Sequence, residues 1–174
     1  MRIERNGRHT GRSLRVLAML AAWLICLATD LAAESNTIDF ARVLVHFIPV
    51  HGSPRDLKLE LATTEEQRQR GLMFRERLSD QEGMVFLYDP PQPAAMWMKN
   101  TLVPLDMLFV DAQGRVVYIA ARTEPLSLKP VSAGTEVRMV IELAGGNSDR
   151  LGVRVGDRVE FDKAATTSGS STPH

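Results

Sequence analysis

The chain predicts a small, mainly β single domain, a sandwich or barrel of about seven strands with one or two short helices. Three observations point there. Apolar residues come in short runs, one of them the strict alternation Leu57-Lys58-Leu59-Glu60-Leu61. Turn-forming residues separate the runs at close intervals. No long helical periodicity intervenes between them, which argues against a doubly wound α/β fold.

Val43 to Val50 alternates weakly and closes at Pro49, before the turn residues His51-Gly52-Ser53-Pro54. Leu57 to Leu61 reads as a half-buried strand, with Lys58 and Glu60 turned to water. Thr63 followed by Glu66 has the spacing of a capping box. It predicts a short helix from Thr64 to Arg70, capped by Gly71, which delivers Leu72, Met73 and Phe74 into the core. Ser79 to Gly83 turns the chain into a short apolar strand, Met84 to Tyr88. Asp89-Pro90-Pro91-Gln92-Pro93 then excludes helix and ladder alike, since proline donates no backbone N–H.

Met96 to Thr101 reads as the next strand, and Leu105 to Val110 and Arg115 to Ala121 as a hairpin about Asp111-Ala112-Gln113-Gly114. Glu124 to Gly134 reads as a surface loop and Val137 to Leu143 as a strand. After Ala144-Gly145-Gly146 comes one helical turn, Asn147 to Leu151, and then alternation from Val153 to Phe161 around Gly156-Asp157.

The 174 residues suit one domain rather than two. Residues 1–33 read as a secretory signal: arginines 2, 5, 8, 12 and 15, the apolar run Val16 to Ala28, then small residues with cleavage after Ala33. The run is short of the ~20 residues that span a bilayer. Export to the periplasm or exterior follows, with no membrane contact after cleavage; an uncleaved N-terminal anchor is the alternative. Residues 34–56 form an extension and first strand, 57–162 the β domain, and 163–174 a disordered tail of Ala, Thr, Ser and Gly. Cys26 is the only cysteine, so the domain has neither disulfide nor thiol nucleophile and relies on its core.

Residues 1–33 hold five arginines against Glu4 and Asp30, which leaves 16 basic and 19 acidic residues beyond them, a net charge of −3. That balance argues against a nucleic-acid partner.

The stretch Met96 to Asp111 places Trp97, Lys99, Asn100, Thr101 and Asp106 inside an otherwise apolar run. Trp97-Met98-Lys99-Asn100-Thr101 followed by Pro104-Leu105-Asp106 resembles the family called domain of unknown function 192 (DUF192). Gly71-Leu72-Met73, Gly83-Met84, Glu142 and Gly156-Asp157 support the resemblance in order, over roughly Leu57 to Phe161. It implies a compact, mostly β fold and brings no established activity, ligand or catalytic residue.

Alternation puts Trp97, Lys99 and Thr101 on one side of a strand and Met96, Met98 and Asn100 on the other. An aromatic face beside an ammonium and a hydroxyl suits a small-molecule cleft, with Asp106 and Glu142 as acids in apolar context. The candidate ligand-binding residues are therefore Trp97, Lys99, Asn100, Thr101, Asp106 and Glu142. The opposing expectation is structural: Lys99 paired with Asp106 or Glu142, and Trp97 in the core.

A hydrolase would need Asp106 and Glu142 roughly 5–9.5 Å apart in one opening. A Cu(I) carrier would need the thioethers of Met96 and Met98 facing a common opening, with Met73 and Met84 nearby. His46, His51 and His174 lack metal-ligand spacing, Gly145-Gly146-Asn147-Ser148 lacks a P-loop lysine, and no Gly-x-Ser-x-Gly occurs. The resulting expectation is a monomeric, non-catalytic binding or accessory module of the cell envelope. It has no cofactor or metal, and its partner is a small molecule or an envelope protein.

Overall fold

The computed structural model describes residues 38–162. The signal segment with Cys26, and the tail 163–174, lie outside the described residues.

Among the described residues seven strands form one curled sheet, a half-barrel, with two short helices. They are β1 (Ala41–Ile48), β2 (Arg55–Ala62), β3 (Gly83–Met96), β4 (Leu105–Val110), β5 (Val116–Ala120), β6 (Val131–Ala144) and β7 (Arg158–Phe161). The helices are α1 (Glu65–Arg70) and α2 (Asn147–Leu151). The strand order is β5-β4-β6-β3-β2-β1-β7. All neighbours run antiparallel except β2 and β3, which α1 joins as a parallel crossover. The two sheet edges meet at one corner. There Val159 N–H donates to the Gly114 carbonyl at 2.7 Å and Val116 N–H to the Asp157 carbonyl at 2.9 Å.

Both faces of the sheet are apolar. Inside the curl, Val43, Leu59, Val85, Leu108, Val116, Ile141 and Val159 show that all seven strands contribute to one cluster. On the outer face of β3, β4 and β6, Met84, Phe86, Met107, Phe109 and Val140 form a second cluster, covered by Leu72 and Met98 from the connecting loops. This second layer explains why all of β4 is buried. A strand apolar on both faces has no amphipathic period to display.

Several elements differ from the sequence expectation. The capping box sits one residue later, with Thr64 as cap and Gln67 as reciprocal partner; Gln67 also accepts from the Thr63 N–H. The proline-rich stretch lies within β3. The four residues Tyr88–Pro91 bulge opposite the single residue Arg138, so Pro90 and Pro91 face no ladder position that needs an N–H. Pairing then resumes at Gln92 with Val137 and runs to Met96 with Val131, which also moves residues 131–134 from loop into β6.

The expected strand from Met96 to Thr101 ends at its first residue. Beyond it the chain turns: Thr101 N–H bonds the Met98 carbonyl at 3.0 Å, and Asn100 takes a left-handed φ of 55°. Neighbouring loops meet its backbone groups, through Met98 N–H to the Ser127 carbonyl (2.9 Å) and Phe74 N–H to the Asn100 carbonyl (2.8 Å). Val153 to Val155 likewise lies outside β7.

Candidate functional site

A cleft of about 690 Å³ opens on the outer face of the sheet, between α1 and the turn after β3. Leu72, Phe86, Tyr88 and Ala94 line its apolar part, and Arg68, Arg70, Trp97 and Lys99 line it as well. Of the residues expected from sequence, it gathers Trp97, Lys99, Asn100, Thr101 and Glu142, and not Asp106.

The rim is aromatic and basic. Trp97 is 51 % exposed, and the Lys99 ammonium lies 5.3 Å from the centre of its ring. The Arg70 guanidinium stacks 4.9 Å over Phe74, also exposed, and that of Arg68 lies 5.6 Å over Tyr88. These are cation–π distances. Arg68 has further partners, donating to the Thr63 carbonyl (2.7 Å) and pairing with Glu65 (3.2 Å). Arg70 and Lys99 form no ion pair among the described residues. The expected Lys99–Asp106 or Lys99–Glu142 pair and a core Trp97 are therefore corrected: both side chains belong to the rim.

Asn100 and Thr101 shape the turn. Asn100 directs its amide at the Met73 sulfur (3.8 Å), and the buried Thr101 hydroxyl donates to the Lys99 carbonyl (3.3 Å).

Glu142 is 4 % exposed, on β6 between Met84 of β3 and Met107 of β4. Burial pushes its carboxyl up to about 8; Arg75 opposes this only in part. The reason is local, because Arg75 is already engaged in a two-pronged ion pair with Glu60 (3.0 and 2.5 Å). Every fully buried side-chain polar atom among the described residues has a hydrogen-bond partner. Glu142 has none there, so its carboxyl reaches the cleft it lines.

Asp106 has the opposite fate. It pairs in register with Leu143, one step from Met107 opposite Glu142, and successive strand residues face opposite sides. The two carboxyls thus lie on opposite faces of the sheet. Asp106 accepts from the N–H groups of Arg122 (2.8 Å), Gly146 (2.9 Å) and Ser148 (2.9 Å) and from the Ser148 hydroxyl (2.5 Å). Burial alone would raise its pKa, but these four donors outweigh it and hold the carboxyl below its usual value. Asp106 is a structural anchor, and the acid pair required by a hydrolase is not assembled.

The thioether pair is not assembled either. Met96 lines the cleft, with the Tyr88 hydroxyl 3.7 Å from its sulfur. Met98 is 1 % exposed in the outer cluster, its sulfur accepting from the Thr123 hydroxyl at 3.0 Å. Among the described residues no three His, Cys, Asp or Glu side chains group to hold a metal ion. No helix there is long and apolar enough to cross a membrane.

Sequence reasoning missed Tyr88, Arg68, Arg70 and Leu72 as site residues. Gly71-Leu72-Met73 did carry part of the family resemblance, but nothing local linked it to Trp97.

This fold, a seven-stranded curled β sheet with two short helices among the described residues, defines a small, mainly β single domain. The chain belongs to DUF192, described as "Uncharacterized ACR, COG1430", whose family profile matches residues 47–161. Two solved structures are similar to it. One, described as a candidate transcription regulator from Sinorhizobium meliloti 1021, is 38 % identical with a TM-score of 0.70, over 75 % of this chain and 99 % of that one. The other, a protein of unknown function from Novosphingobium aromaticivorans DSM 12444, is 40 % identical with a TM-score of 0.68, over 74 % and 91 % respectively. No curated protein matches the chain.

Proposed function

We propose that this protein is a monomeric, non-catalytic binding module of the cell envelope that holds a small molecule in the cleft between α1 and Trp97. One observation carries the reading: a carboxyl buried at Glu142, without a hydrogen bond among the described residues, facing an open cleft. Burying such a group is costly. Asp106 offsets that cost with four internal donors, whereas Glu142 leaves its own hydrogen bond for a visitor. The hydrolase reading needs a second acid in the same opening, and the opposite facing of Asp106 counts against it. Export rests on the basic start and short apolar run of residues 1–33.

The regulatory role in the description of the Sinorhizobium meliloti structure finds less support. Beyond residue 33 the chain carries 16 basic and 19 acidic residues, a poor match to a polyanion.

A thermal-shift screen of the full chain against sugars, cell-wall fragments, nucleotides and metal ions including Cu(I) tests the reading. A native-state ligand at 100 times its Kd adds ~2.7 kcal/mol, several degrees for a domain of this size. The expected hit disappears in Trp97→Ala and Glu142→Ala and survives in Tyr118→Ala, on β5 away from the cleft. A hit that persists in both cleft variants, or a screen without any, overturns it.

A further inference from the structure

Resting on that reading, we infer that the cleft takes a small organic monoanion: a carboxylate at one end, a flexible apolar middle, and an uncharged carbonyl oxygen at the other. Three features of the cleft define these parts. Arg70 and Lys99 are cations at the opening without ion-pair partners among the described residues, each lying over an aromatic ring. A ring face leaves the cation's remaining donors free, and they suit a carboxylate. Leu72, Phe86 and Ala94 supply an apolar wall. Glu142 stands on the sheet floor with no hydrogen-bond partner among the described residues, and a protonated carboxyl there donates one hydrogen bond.

The groups around Glu142 favour this polarity over its reverse. Arg75, from the segment after α1, is neutralised by Glu60 of β2. Tyr88 of β3 has its hydroxyl ionisation raised, chiefly by burial, and so stays uncharged. Arg68 of α1 is paired with Glu65. Among the described residues the charge left unmatched in the cleft is positive and lies at the rim, so an ammonium ligand would have to pass it. Because burial keeps the Glu142 carboxyl protonated up to about pH 8, the floor presents an O–H donor at neutral pH.

The test uses the full chain with Trp23→Phe. Trp97 is then the sole tryptophan of the two in the sequence, and its fluorescence reports directly on the rim. Three probes share one body: N-acetyl-6-aminohexanoate, its neutral carboxamide, and the cation N-acetyl-1,5-diaminopentane. The anion is expected to bind at least tenfold more tightly than the amide at pH 6.5, with the cation weakest. Raising the pH to 9.0 should weaken the anion about tenfold, the loss for one required proton leaving near pH 8. Glu142→Gln should keep binding and abolish that pH difference. Lys99→Ala and Arg70→Ala, both at exposed positions, should each weaken the anion severalfold and leave the amide unchanged.

If the cation or the amide binds as tightly as the anion, the cleft is a binding site but the ligand class is wrong. Anion binding indifferent to Lys99→Ala and Arg70→Ala also overturns the class. Silence from all three probes rejects it too, and the broad thermal-shift screen then decides on its own whether the cleft binds anything.

Discussion

Asp106 and Glu142 lie on neighbouring strands one register step apart, and their surroundings push them in opposite directions. The four donors around Asp106 tie β4 to the chain after β5 and to the start of α2. Asp106→Asn removes the charge and turns an amide N–H₂ toward backbone donors. We expect a loss of about 2–4 kcal/mol, since a buried donor left unmatched loses more than one average bond, measured as the urea midpoint. The Asp106 contribution is present above its unfolded value of 3.8 and fades as pH falls through the lower folded value.

For Glu142 the sign reverses. Its folded carboxyl titrates at about 8 against 4.5 in the unfolded chain, so between those values the folded chain holds a proton that the unfolded chain has released. Stability therefore falls with rising pH across that window, by up to about 1.4 kcal/mol per unit. Glu142→Gln removes this slope. Melting temperatures of both proteins from pH 5 to 8.5 should diverge steadily in favour of the variant. Parallel curves would return Glu142 to the ordinary carboxylate range.

The elements that carry the site are loops held under local constraint. Among the described residues four non-glycine residues take positive φ: Phe74 (64°), Asn100 (55°), Arg122 (48°) and Leu126 (63°). All lie in the three loops that follow α1, β3 and β5, which are stitched together by Phe74 N–H to Asn100 and Leu126 N–H to Thr101. Asparagine tolerates this conformation, whereas phenylalanine and leucine are strained in it. Both are also exposed, so core packing is not the compensation. Leu126→Gly should therefore leave stability within about 0.5 kcal/mol of the parent, because relief of roughly 1 kcal/mol offsets glycine's greater unfolded freedom. A midpoint of chemical unfolding far below the parent's would mean that Leu126 holds the loop by contacts instead. None of this was legible beforehand. Residues 96–101 alternate well enough to pass for a strand, and a positive φ without glycine leaves no mark in a pattern of apolar and polar residues.

At the scale of the molecule, the curl depends on the two sheet edges meeting at Gly114. Its φ is +77°, and a Cβ there would stand 2.8 Å from the Val159 carbonyl. Gly114→Ala should push the edges apart and lower stability by about 2 kcal/mol, combining backbone strain with a steric clash. The measurement is a denaturant midpoint, with amide exchange rising first at Val159 and Val116. The hairpin around Gly114 was readable from the sequence, but the partnership of that turn with β7 was not, because the sequence carries no sign of which edges meet.

The sequence by itself determined the class of fold and the positions of β2, α1, the β4–β5 hairpin and α2. It also pointed to the stretch from Trp97 to Asp106 as a candidate site, of which the cleft gathers Trp97, Lys99, Asn100 and Thr101 and not Asp106. Those features are local, arising from period, caps and turn residues that act within a few positions. Only the tertiary structure decided the roles. It carried β3 through its prolines by giving them a bulge, and it put Trp97 and Lys99 on a rim rather than in a core. It also sent Asp106 and Glu142 to opposite faces of the sheet. Register, burial and the choice of partner for each charge are long-range quantities. Arg75 pairs with Glu60 and only partly offsets the burial of Glu142 because of how strands far apart in sequence come to lie side by side.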